Sequence, residues 1–167
     1  MTRSERQFVE RLARLVLGDE KIDQFMQIPF QDLGFGYDQF GMERESAAVG
    51  YLIARVLHQK YFRVESRGQE HVPDRGRAIV VGNHSGTLPF DGMMIAVDLL
   101  EKKTPPRATR AVVENMVPKT PYVGLAFQRC GQVTGHRRNF EELLRDEELV
   151  MVFPEGAKGT GKLYKDR

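Results

Sequence analysis

Two short stretches carry residue types that can do chemistry, at a spacing that lets them act together. Gly82-Asn83-His84-Ser85-Gly86-Thr87-Leu88-Pro89-Phe90-Asp91 sets an imidazole and a carboxylate on one loop directly after the apolar run Ala78-Ile79-Val80-Val81. Phe153-Pro154-Glu155-Gly156 sets a second carboxylate, followed by a Gly-rich basic loop, at the end of the run Leu149-Val150-Met151-Val152-Phe153. An imidazole is the usual general base for a hydroxyl at neutral pH. A carboxylate on its other ring nitrogen fixes the tautomer and stabilises the imidazolium that forms. Pro89 suits the first turn of a helix, which puts Asp91 near a helix start and within reach of His84. The same residues fit a plainer account, in which Asp91 favours the helix N-terminus and His84 is structural; spacing alone leaves both open.

Positioning these loops requires a sheet. Two polar loops following two apolar strands would share one rim, where open α/β sheets carry their sites. Strands are expected at 78–83 and 148–153, with weaker ones at 61–65 and 107–113 and a short one around Gly131 to Thr134. Helices are expected at about 89–101 and 139–147, the latter with Asn139 and Glu142 as a capping box. Upstream, residues 4–17 read as an amphipathic helix with Val9, Leu12, Ala13 and Val16 on one stripe, Ser4 as cap and Gly18 as stop. Glu43 to Gln59 reads as a second helix, and Ile28 to Tyr37 as a loop. The alternation predicts an α/β fold: N-terminal helices, then a largely parallel sheet flanked by helices. Residues 1–60 form the expected N-terminal helical region and 61–167 the α/β domain. That domain reads as cut short at its C-terminus, because Gly159 to Arg167 is an open loop with no closing element.

Composition narrows the function classes. The 167 residues are 41% hydrophobic and 29% charged with a net charge of +2, ordinary for a globular chain with a real core. Basic residues cluster at Arg3, Arg6, Arg11 and Arg14, at Arg137-Arg138, and at Lys158, Lys162, Lys165 and Arg167; such clusters suit phosphates or anionic headgroups, or are simply solvated. A single cysteine, Cys130, excludes an internal disulfide and a cysteine zinc cage, which fits a reducing compartment. His58, His71, His84 and His136 are scattered without metal-ligand spacing, and no nucleic-acid motif is present. No apolar run reaches the roughly 20 residues needed to cross a bilayer.

In order along the chain, Asn83-His84 with Asp91, then Gly131-Gln132-Val133-Thr134-Gly135-His136-Arg137, then Phe153-Pro154-Glu155-Gly156 resemble the ordered blocks of the glycerolipid (lysophospholipid) acyltransferase superfamily. Gly68-Gln69-Glu70-His71-Val72-Pro73 resembles the lead-in to its first strand. The resemblance covers residues 61–162. It is similar to the 1-acylglycerol-3-phosphate acyltransferase type. The six residues between His84 and Asp91, where that type has four, resemble the diacylglycerol-acyltransferase-like bacterial branch. The resemblance implies His84 as base and Asp91 as its orienting acid. It also implies an acceptor site drawn from Asn83, Arg137, Phe153, Pro154, Glu155, Gly156 and Lys158, where Lys158 stands in place of the more usual Arg. The implied reaction moves a fatty acyl group from acyl-CoA or acyl-carrier protein to a glycerolipid hydroxyl such as that of lysophosphatidate, with no other cofactor. The implied setting is peripheral, on the cytoplasmic face of a membrane, without nucleic acid. The first helix is a candidate for contact with that surface.

Two other readings stay open. Arg137 and Glu155 are also ordinary surface charges, and the chain could be a non-catalytic lipid- or phosphate-binding piece of the same fold. Gly156-Ala157-Lys158-Gly159-Thr160-Gly161-Lys162 fits a nucleotide phosphate loop up to its lysine. Leu163 replaces the hydroxyl residue that would hold Mg²⁺, which argues against that nucleotide reading.

Overall fold

A computed structural model of the chain describes residues 7, 8, 11, 14, 15, 18, 23, 25–84, 88–114 and 119–156. In chain order the elements are α1 (Arg44–Val56), a π-helical turn (Leu57–Phe62), β1 (Ala78–Val81), α2 (Phe90–Glu101), β2 (Thr109–Val113), α3 (Val123–Arg129), β3 (Val133–Thr134), α4 (Arg137–Arg145) and β4 (Leu149–Val152). Upstream, Gln7, Phe8, Arg11, Arg14 and Leu15 are helical, and Gly18 follows with φ +82°, its N–H donating to the Arg14 carbonyl. That is how a glycine ends a helix. The proposed cap Ser4 and the stripe Val9, Leu12, Ala13 and Val16 lie outside the described residues.

All strand pairs are parallel, in the order β1-β4-β2-β3. The last strand in sequence therefore sits between the first two. Its apolar run Leu149-Val150-Met151 is buried throughout, as a strand covered on both faces must be. Val150 turns to α4 and packs with Val133 and Leu143, while Met151 reaches Gly92 of α2 on the other face. Ile79 and Val81 of β1 pair with Val150 and Val152 and share their face, yet both are exposed. A second core joins Phe25 and the α1 residues Ala47, Ala48, Tyr51 and Ala54 to Val97 of α2.

The α1–α2 seam also has a polar side. His58 Nε2 lies 2.9 Å from Asp98 Oδ1, both buried. Glu101 accepts from Tyr51 at 2.6 Å and from Arg55. Burial pushes the Asp98 carboxyl up, but hydrogen bonds from Lys102, Ser66 and His58 outweigh it and hold it below the usual range.

Several expectations are corrected. No strand forms at 61–65: Tyr61 and Phe62 complete the π turn, and Arg63 at φ 50° turns the chain away, with the Val64 N–H donating to the His58 carbonyl. The helix expected at 139–147 runs from Arg137 to Arg145, so Asn139 lies inside it and cannot be its cap. Asn139 instead donates to the Thr134 carbonyl at 3.1 Å, and His136 Nδ1 accepts from the Arg138 N–H. Helix α3 was not foreseen. It is short, its only buried residue is Gly124, and Val123 and Leu125 are exposed, so it has no apolar stripe to read.

Candidate active site

The sheet order decides which loops meet. Because β4 inserts beside β1, the loop after Val81 and the turn after Val152 leave the same edge as neighbours. The Gly82 N–H donates to the Val152 carbonyl at 3.2 Å, extending the pairing to the start of the His84 loop. The Phe153 ring then lies 5.0 Å from the His84 ring, centroid to centroid. Two glycines make room for it. A Cβ at Gly82 or at Gly92 would come within 3.3 Å of opposite edges of that ring, close enough to press on it.

Asp91 stands in the first turn of α2, with Pro89 before it at the cap position. His84 Nδ1 lies 2.8 Å from Asp91 Oδ2, and the two side chains are 17% and 18% exposed. Asp91 Oδ1 accepts from the Gly92 N–H at 2.8 Å. An ionised carboxylate can only accept, and facing one the Nδ1 nitrogen is the ring atom that carries the proton. The other nitrogen, Nε2, then presents a lone pair, and it has no partner among the described residues. The arrangement can accept a proton at Nε2 and stabilise the resulting cation through Asp91.

The remaining sequence-derived residues are placed less closely. Asn83 is exposed beside His84. Pro154 and Glu155 are exposed on the turn after β4, and Gly156 closes that turn at φ +54° with its N–H donating to the Phe153 carbonyl. Arg137 opens α4 on the same sheet edge, but after β3, so three strand spacings (on the order of 14 Å) separate its backbone from the His84 loop. Its side chain is 90% exposed and pairs with Glu141 at 2.8 Å. Arg137 and Arg138 both occupy the first turn of α4, where the helix dipole disfavours cations, and each is offset one turn on, Arg137 by Glu141 and Arg138 by Glu142 at 3.0 Å. Gly135, just before α4, is required by close approach, since a Cβ there would lie 2.9 Å from the Val113 carbonyl oxygen. Lys158 and the rest of the basic loop lie outside the described residues, as do Ser85, Gly86 and Thr87.

Sequence reasoning missed Gly82 and Gly92 as the walls of the Phe153 niche. Their signal was only a small residue flanking each dyad member, which has no meaning until β4 is known to lie beside β1. Among the described residues, no cluster of His, Cys, Asp and Glu could hold a metal ion. No helix among them is long and apolar enough to cross a membrane.

Comparison with known proteins gives this geometry a context. The family model described as Acyltransferase matches residues 63–164. An uncharacterized protein of Mycobacterium bovis is 37% identical over 134 residues, which is 80% of this chain and 37% of that protein. An uncharacterized protein of Mycobacterium leprae is 38% identical over 131 residues, 78% of this chain and 36% of its own length. The chain thus spans little more than a third of the curated relatives it matches. No solved structure matches it significantly.

Proposed function

Since the chain belongs to the acyltransferase family, we propose that it transfers a fatty acyl group from a coenzyme A or acyl-carrier-protein thioester to a glycerolipid hydroxyl, with His84 as general base. The observation that carries this reading is the 2.8 Å contact of His84 Nδ1 with Asp91 Oδ2, which leaves Nε2 available to an acceptor. Nε2 removes the hydroxyl proton as the oxygen attacks the thioester carbonyl. A C–O bond forms, the tetrahedral adduct collapses with cleavage of the C–S bond, and the imidazolium returns the proton to the departing thiolate. An ester and a free thiol result, and the protein is left as it began, with no acyl-enzyme and no cofactor beyond the thioester.

Arg137 is the group we assign to the acceptor's phosphate, with Lys158 as a second cation. Its pairing with Glu141 is an exposed i,i+4 contact of a kind that contributes about 0.3–0.5 kcal/mol. A phosphate accepting the guanidinium fork in a bidentate contact outcompetes that. Asn83 and the Phe153-Pro154-Glu155-Gly156 turn would form the wall nearest the reacting hydroxyl. Because the acceptor is a lipid, the reaction belongs at a membrane surface, on its cytoplasmic side, with the protein peripheral to it.

The test is thiol release from an acyl-CoA in the presence of lysophosphatidate. Removing a general base of this kind costs on the order of 10²–10⁴ in rate, so His84→Ala should lose release by that factor while keeping its circular dichroism. Equal rates for the two proteins would end the assignment of His84. No release by the unsubstituted protein, with the acceptor still bound, would leave a lipid-binding unit instead of an enzyme.

A further inference from the structure

The π turn that replaces the expected strand pushes two aromatic rings outward beside the site. Tyr61 and Phe62 meet edge to face at 4.8 Å, and Phe62 meets Phe90 at 5.4 Å. These rings are 72%, 40% and 37% exposed. Phe90 is the first residue of α2 and the chain neighbour of Asp91, so the cluster adjoins the dyad along the chain. Leu88, two residues before Phe90, and Ile53 and Val56 of α1 are exposed apolar side chains as well. Lys60 and Arg63 flank the aromatic pair in sequence, both exposed, and neither makes an ion pair among the described residues. Most other basic side chains near this seam are engaged, Arg55 with Glu101 and Lys102 with Asp98.

We infer that this surface, Tyr61-Phe62-Phe90 with Lys60 and Arg63, docks on a bilayer containing anionic lipid and sets the His84–Asp91 pair at headgroup level. The inference rests on the acyl-transfer reading for what the surface delivers, but its physical basis is separate. Aromatic rings with an apolar body favour the headgroup boundary. Unpaired cations beside them are drawn to anionic lipid. A wedge of rings next to free cations complements that surface in both respects. The other exposed aromatic pair, Phe35 and Tyr37, differs: Arg129 covers the Tyr37 ring, and the loop is tied by Asp32, which accepts from three backbone N–H groups.

The chain has no tryptophan, so Tyr61→Trp places one reporter in the cluster and Phe35→Trp one on the distant loop. With vesicles of phosphatidylglycerol and phosphatidylcholine, the Tyr61→Trp emission should shift to the blue and be quenched by brominated acyl chains; that of Phe35→Trp should not. In cosedimentation, a Tyr61→Ser, Phe62→Ser double variant of unchanged circular dichroism should bind roughly tenfold more weakly. Lys60→Glu with Arg63→Glu should abolish the preference for phosphatidylglycerol. An unshifted Tyr61→Trp, equal quenching at both positions, or binding indifferent to phosphatidylglycerol would overturn the inference. So would a dimer in sedimentation velocity that the double serine variant abolishes, since a second copy would then be the occupant. Thiol release toward lysophosphatidate dispersed in detergent, without vesicles, should be the same in the double serine variant as in the unsubstituted protein. Its absence in both would count against the acyl-transfer reading alone and leave the vesicle result standing.

Discussion

His84 is held at one ring nitrogen by Asp91 and across its face by Phe153, so its orientation is set before any acceptor arrives. Such preorganisation, which suits the base role proposed for His84, is missing at the exposed His71, where Glu70 is 3.7 Å away on an open surface. Arg137 is the opposite case, an extended side chain with only a helix-surface partner. If its work is to hold phosphate, Arg137→Ala should raise the apparent KM for a lysophosphatidate acceptor about tenfold or more and leave that for diacylglycerol nearly unchanged. Steady-state kinetics with the two acceptors check this, and no change for either would remove Arg137 from the site.

At the scale of elements, the strand ends fix where these side chains stand, and two substitutions probe that. Gly135→Ala would drive a Cβ to 2.9 Å from the Val113 carbonyl oxygen. Backbone does not yield as a side chain does, so the variant should lose about 1–3 kcal/mol in urea unfolding and shift the first turn of α4 that carries Arg137. At the opposite edge of the sheet, Glu148 leads into β4. Burial raises its carboxyl pKa above the usual value, with Asp38 and Asp146 adding to the rise and Arg110 and Arg107 opposing it. A raised acid pKa means that the folded state holds the proton more tightly than the unfolded chain. Its stabilising contribution is therefore complete below the unfolded pKa and is lost as pH rises through the folded one. Glu148→Gln, neutral throughout, should raise the melting temperature at pH 7 and have little effect at pH 4, as thermal unfolding at the two pH values would show.

For the whole molecule, the central position of β4 makes one strand answerable to both faces. Leu143 is fully buried and meets Val150 and Val133 across the α4 face. Leu143→Ala should cost about 2–5 kcal/mol through lost burial and the cavity left behind, measurable as a lower urea midpoint at unchanged slope. It should weaken the site too, because β4 carries Phe153 against His84.

The apolar runs at 78–81 and 149–152 and the His84 to Asp91 spacing were legible without coordinates, because a buried parallel strand and a loop at its end are local patterns. Helix α3 and the π turn were not, since one lacks an apolar stripe and the other prolongs α1 by a wider turn that apolar spacing does not mark. The ordered blocks were enough to suggest acyl transfer, and the family comparison agrees. What the chain's order of residues determined by itself is which side chains are available and which of them end strands. Only the tertiary structure decided that β4 inserts beside β1, which brings Phe153 onto His84 and leaves Arg137 at the far end of the same edge. The reason is that strand pairing depends on contacts between segments distant in sequence, which no local periodicity records.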